Sequence, residues 1–216
     1  PDVQAFIREM LDDGCRACVM EVSSHALALH RVDGMHFAAG VFTNLTRDHL
    51  DFHGDMESYF KAKAKLFQYG VSELAVINID DQYGAKLLAQ IDIPAVSVSR
   101  TGQADWRYEE INKFNRGTSV KIRGRDGILI EGTTKLLGDY NLDNLLMAVA
   151  IAVISGIDPI EIGSNLQHYV GAPGRVEQVD LGQDFMAFVD YAHTPDSLEA
   201  LYRAYGSKRK ICVLGS

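Results

Sequence analysis

Apolar positions along the 216 residues follow two rhythms. Val3, Phe6, Ile7, Met10 and Leu11 recur three or four apart, which predicts an amphipathic helix at the start. An apolar run predicts a strand over 17–22, followed by a helical turn near 26–30 and a second strand over 37–42. Met56, Tyr59, Phe60, Leu66 and Phe67 then form one stripe of a helix over 56–67. Lys63 falls in the middle of that stripe, while Lys61 and Lys65 point to the opposite side. A strand over 74–79, a helix over 81–89 and a strand over 95–99 continue the alternation. The pattern predicts an α/β fold, a mostly parallel sheet flanked by helices.

The rhythm changes between 104 and 137. Short alternating runs at 106–111, 118–123 and 128–135 are separated by Asn-Arg-Gly and Arg-Asp-Gly turns, the pattern of a small antiparallel β insertion. A helix over 141–154 follows, apolar nearly all round and so expected to be buried. A helix near 159–167, paired strands at 176–180 and 185–190, and a helix over 195–205 complete the chain. Both ends read as cut from a longer polypeptide: the last residues, 211–216, look like a strand running into a glycine turn.

Composition narrows the function classes. The net charge of −8 opposes a nucleic-acid partner, since tracking phosphates needs a basic excess. The longest apolar stretch, 145–154, is too short to insert across a membrane. Three cysteines supply no disulfide framework, which fits a reducing cytoplasm.

The densest chemistry lies in residues 43–55, where Asp48, His49, Asp51 and His53 crowd into six positions just past a predicted strand. Open α/β sheets place ligands at such strand exits. The cluster reads either as a metal or phosphate site or as helix-capping and turn residues. Glu21, closing the first predicted strand, reads as a Mg²⁺ ligand or as an edge carboxylate in a surface ion pair. Lys63 at the centre of an apolar stripe calls for a functional explanation. Cys15-x-x-Cys18 lacks a second pair, and Cys18 is expected to pack in the core. Asn78-x-Asp80-Asp81 reads as a turn and helix cap. Arg175 and Asp190 stand at further strand boundaries. No Gly-x-x-x-x-Gly-Lys-[Ser/Thr] loop occurs.

Taken together, these motifs resemble the Mur ligase family. The matching segments are Glu-Val-Ser-Ser-His (21–25), His-Arg-Val (30–32), the run from Phe42 to Gly54, Lys63 in Tyr-x-x-x-Lys, Tyr-Asn-Leu-Asp-Asn (140–144), Gly-Arg-x-Glu (174–177) and Asp-Tyr-Ala-His-Thr-Pro-Asp (190–196). They span nearly the whole chain, and the last points to the branch that adds the third residue of the peptidoglycan peptide. Two departures stand out: Leu29 replaces a substrate-contacting glutamine of some members, and the ending Leu-Gly-Ser is poorer in cysteine and glycine than in many relatives.

The resemblance implies a central ATP-binding domain over 1–209 lacking its P-loop end, with the small β insertion at 104–137. Residues 210–216 would begin the C-terminal amino-acid-binding domain. It implies Glu21 and His49 as magnesium ligands and Lys63 as the lysine that carries a CO₂-derived carbamate, joining the metal site. Ser23 and Arg31 would hold the nucleotide-peptide substrate, and Asn141, Asn144, Arg175, Asp190 and His193 would surround ATP. The implied reaction joins a diamino acid to UDP-MurNAc-L-Ala-D-Glu through an acyl phosphate, in a cytoplasmic monomer. Alternatives are a related amide ligase of the folylpolyglutamate synthase or cyanophycin synthetase type, and a metal-dependent hydrolase built on the Asp-His-x-Asp-x-His cluster. The isolated segment is expected to act only as a binding module, inactive by itself.

Overall fold

Every residue of Ala75–Asn78 is buried, which places this strand between two neighbours. The computed structural model describes residues 2–114, 117–169, 171–206 and 209–214, the side chain of Asp196 excepted. It divides into two units, 1–98 and 99–216. In the first, α1 (Asp2–Asp12), α2 (Ser24–Ala28), β1 (Gly40–Phe42), α3 (Leu50–His53), α4 (Met56–Ala64), β2 (Ala75–Asn78), α5 (Gln82–Leu88) and β3 (Ala95–Ser99) follow one another. The three strands are parallel, with Gly40 opposite Ala75 and Val76 opposite Val96.

Phe42, Leu45, Tyr59, Phe60, Phe67, Ile77, Leu87 and Ile93 make up the core of this unit. The helix stripe therefore buries as expected at Tyr59, Phe60 and Phe67, while Met56 and Leu66 are only partly covered. The last turn tightens into a 3₁₀ segment, Lys65–Phe67, and Lys65 is half-buried there instead of fully solvated. Asp81 caps α5 by accepting the N–H groups of Tyr83 and Gly84. Its other oxygen accepts the N–H of Leu45 at 3.1 Å, tying the loop after β1 to the start of α5.

Residues 15–23 depart from expectation. The strand predicted over 17–22 is absent: the segment has no ladder partner among the described residues, and Val19 is fully exposed. Apolar alternation makes a strand only where a neighbour supplies hydrogen bonds. Cys15 and Cys18 are exposed as well, so Cys18 does not pack in the core. The apolar stripe of α1 is real, yet α1 buries no residue, and Phe6 and Leu11 face solvent.

In the second unit β4 (Trp106–Phe114), β5 (Gly117–Arg123) and β6 (Leu129–Thr134) form the expected antiparallel sheet, with Ile122 opposite Tyr108 and Ile130. Asn115 and Arg116 of the first expected turn lie outside the described residues. Next come α6 (Asp139–Ile154) and α7 (Pro159–Asn165). The outer face of α6 is open at Asn144, Ala148 and Ile154, so the helix is less buried than its composition suggests. α7 packs on β6 through two glycines: a Cβ on Gly163 would lie 2.6 Å from the Glu131 carbonyl, and one on Gly132 would lie 2.6 Å from the Gly163 carbonyl. β7 (Glu177–Val179) and β8 (Ala187–Val189) pair antiparallel. α8 (Pro195–Ala204) starts in a Thr194–Ser197 capping box. Residues 211–214 are irregular instead of extended in a strand, and Gly215 and Ser216 lie outside the described residues. Among the described residues no helix is long and apolar enough to cross a membrane.

Candidate active site

The three expected ligands sit in or just before short helices of the first unit. Glu21 is exposed and lies three residues before α2, whose N-cap is Ser23. His49 is the N-cap of α3, and Lys63 lies in the last turn of α4. Asp55 caps α4 by accepting the N–H of Ser58 at 2.7 Å, fixing where that helix starts. α4 packs against both α2 and α3.

Aromatic rings fill the space between these helices. His25 lies edge-on to His49 at 4.9 Å between centroids and 4.2 Å from Phe52. His53 stacks on Tyr59 at 4.9 Å, and His49 meets the same tyrosine edge-on at 5.9 Å. The Lys63 amine stands 5.7 Å from the centre of the Tyr59 ring. His49 occupies this cluster with a left-handed backbone, φ 52° and ψ 25°. That region is sparsely used by residues other than glycine, though histidine tolerates it better than most. The Asp48 carboxylate accepts the His49 N–H at 2.8 Å and holds the turn.

Electrostatics single out Lys63. Burial pushes its ammonium below the ordinary lysine value, and the negative charge of Glu21 works against that shift. Glu21 is therefore close enough for its field to reach the amine. His53 is also held below its usual value, first by burial and then by His25 and His49, with Asp51 opposing. Tyr59 is pushed up by burial, then by the Asp48 charge.

The candidate substrate residues have simpler surroundings. The Ser23 hydroxyl accepts the Ala26 N–H at 3.1 Å, so it is engaged as a helix cap. Arg31 and Leu29 are exposed. Asp48, His49, Asp51 and His53 do not assemble as a cage: among the described residues no group of three or more His, Cys, Asp or Glu side chains is placed to hold a metal ion. Mg²⁺ is a different case, because it is held by one or two carboxylates plus substrate phosphates. Glu21 is one exposed carboxylate of that kind.

In the second unit the residues expected around ATP separate into two groups. Asn141 donates to the Leu137 carbonyl at 2.7 Å, and Asn144 is exposed one turn further along α6. Arg175, Tyr191 and His193 stack together, with the guanidinium 5.1 Å above the tyrosine ring and the imidazole edge-on to it at 5.0 Å. Asp190 accepts the N–H groups of Val176 and Ala192, each at 2.8 Å. Tyr140 lies close enough to Asp190 for burial and that carboxylate to push its phenol up to about 12. A polar cavity of about 770 Å³ in this unit is lined by other residues, Arg100–Gln103 and Arg107–Glu110.

Sequence reasoning named His53 among the candidates and missed Tyr59, with His25 noted only as part of a motif. The signal for His25 was present, since it lies close to Glu21, but Tyr59 at helical spacing reads first as core.

The Mur ligase middle domain family matches residues 1–152. The UDP-N-acetylmuramoyl-L-alanyl-D-glutamate–2,6-diaminopimelate ligase of Streptomyces coelicolor is 42% identical, over 94% of this chain and 40% of its own length. The ligase of the same name from Gloeobacter violaceus is 47% identical, over 99% of the chain and 44% of its length. A solved structure of a ligase with that name superposes with a TM-score of 0.79 at 30% identity, covering 94% of this chain and 42% of the other. MurF from Acinetobacter baumannii, at 19% identity over 80% of this chain and 38% of its own with a TM-score of 0.68, shares the fold. The chain thus spans less than half the length of the curated relatives it matches. With the family match covering most of the sequence and relatives above 40% identity over nearly all of it, this chain belongs to the Mur ligase family.

Proposed function

We propose that this chain is the central part of an ATP-dependent ligase of the MurE type, which extends UDP-MurNAc-L-Ala-D-Glu by a diamino acid. The observation that carries the reading is Lys63, a lysine depressed by burial beside the carboxylate of Glu21 and held over an aromatic ring. The names and identities of the relatives support the same substrate class.

In this reading a D-glutamate side-chain carboxylate attacks the γ-phosphorus of ATP, and ADP leaves. The amine of the diamino acid then attacks the acyl phosphate carbon, expelling phosphate and losing a proton. Glu21 and His49 would hold Mg²⁺, which offsets the repulsion between the two anions that meet in the first step. The neutral Lys63 amine would add to CO₂ with loss of one proton, giving a carbamate oxygen as a further donor. Burial favours this, since only the neutral amine is nucleophilic. Ser23 and Arg31 would face the nucleotide-peptide. Asn141, Asn144, Arg175, Asp190 and His193 would surround ATP, with the stacked Arg175 as the cation nearest the phosphates. The protein would act in the cytoplasm as a monomer.

The test is direct. Full-length protein is incubated with UDP-MurNAc-L-Ala-D-Glu, ATP, Mg²⁺ and either diaminopimelate or lysine, and phosphate release and UDP-MurNAc-tripeptide are measured. Absence of tripeptide with every diamino acid offered would remove the reading.

A further inference from the structure

Ser24, His53 and Tyr59 come from α2, α3 and α4, the same three helices that position Glu21, His49 and Lys63. Ser24 and Tyr59 are among the best-buried residues of the unit, 2% and 6% exposed. The Ser24 hydroxyl lies 2.9 Å from His53 Nε2. The His53 ring stacks on the Tyr59 ring with only 13° between planes. The two contacts therefore link the three helices in series through His53.

We propose that this series of contacts is a buried tie that sets the spacing of Glu21, His49 and Lys63, with Tyr59 as its positioning residue. The proposal rests on the ligase reading above. Each member lies within one or two turns of an expected ligand: Ser24 is three residues from Glu21, His53 four from His49 and Tyr59 four from Lys63. Helices of four and five residues, such as α3 and α2, have no independent stability. Their placement must come from tertiary contacts, and these are the polar ones. Tyr59 also touches the ligands themselves, edge-on to His49 and beneath the Lys63 amine. A shift of its ring would move both. Glu21 and His49 are exposed and adjustable, so the tie supplies the rigidity that the ligands lack.

Two variants test the tie in the full-length enzyme. Tyr59→Leu removes the stacked ring, and Ser24→Ala removes the hydroxyl at the other end. Each is expected to weaken Mn²⁺ binding, read by electron paramagnetic resonance, by roughly 10–100-fold, the usual cost of losing an outer partner of a metal site. kcat should fall while KM for ATP stays unchanged. The double variant should be no worse than either single one, because either cut breaks the same series of contacts. In metal-free protein both variants should shift the His49 imidazole resonances. Unchanged Mn²⁺ affinity overturns the proposal, as does a loss that only tracks the unfolded fraction, or a fully additive double variant. A wild-type enzyme without ligase activity would sink the functional reading alone, and the metal-free His49 resonances would then decide the tie by themselves.

Discussion

The Asp190 carboxylate holds Val176 in a left-handed turn: it accepts the Val176 N–H at 2.8 Å, at a residue whose φ is 51°. A β-branched residue in that region is strained. The preceding residue is Arg175, so the carboxylate fixes the turn that directs the guanidinium onto Tyr191. Both Asp190 oxygens are engaged by backbone N–H groups, a role that coexists with a contact to ATP only through their remaining lone pairs.

Replacing Asp190 by Ala should accordingly release the Val176 turn. Removing a charge-assisted acceptor is expected to cost about 1.5–3 kcal/mol per lost bond, read as a lower urea midpoint. In the full-length enzyme the same variant should raise KM for ATP. A midpoint equal to that of the wild type would show that the turn holds without its carboxylate.

Lys63→Met should stabilise the metal-free protein at neutral pH in buffer stripped of CO₂. The sign follows from the direction of the shift. Burial lowers the folded-state value below the unfolded one, so the unfolded chain binds more protons between the two values. The penalty is therefore fully present below the lowered folded value. It is relieved as pH rises through that value towards the ordinary lysine range. The advantage of the methionine variant should shrink over the same window in urea unfolding measured against pH. In full-length enzyme the complementary Lys63→Ala variant should lose activity and regain part of it with acetate, which restores an anion to the vacated space.

Gly84→Ala sets two effects against each other. In a helix interior alanine is favoured over glycine by about 0.8–1 kcal/mol. Here the new Cβ would sit 1.9 Å from the Asn78 carbonyl oxygen, closer than any real contact. Overpacking of this kind costs about 1–3 kcal/mol and occasionally more. Sterics should win, lowering the melting temperature. A more stable variant would mean that α5 moves easily away from β2.

Residues 1–216 alone should neither hydrolyse ATP nor form amides. The sequence has no Gly-x-x-x-x-Gly-Lys loop to cradle a triphosphate. ATPase activity that co-purifies with the segment through successive columns, and is lost on changing His49, would contradict this.

Much of the fold was legible because local chemistry and tertiary partners agree. Ala95–Ser99 is a strand over the expected residues, and Asp81 caps α5 as its position predicted. The alternation in 118–123 matches a ladder in which Ile122 is buried and paired on both sides. Residues 17–22 carry an equally good strand pattern and form none, since pattern specifies a face but not the neighbour. The site was legible in its ligand candidates and less so in its supports. Lys63 stood out because a charge in an apolar stripe is anomalous. Tyr59 did not, because a ring in a stripe is what a core is made of.

The left-handed backbone of His49 restricts which side chains a protein engineer can install there. With φ at 52° only glycine, asparagine, aspartate and histidine sit comfortably, and glycine carries no donor atom. A redesign for metal binding could place a short carboxylate or amide at this position. The longer reach of glutamate, and any β-branched residue, would be resisted by the main chain before coordination chemistry had a say.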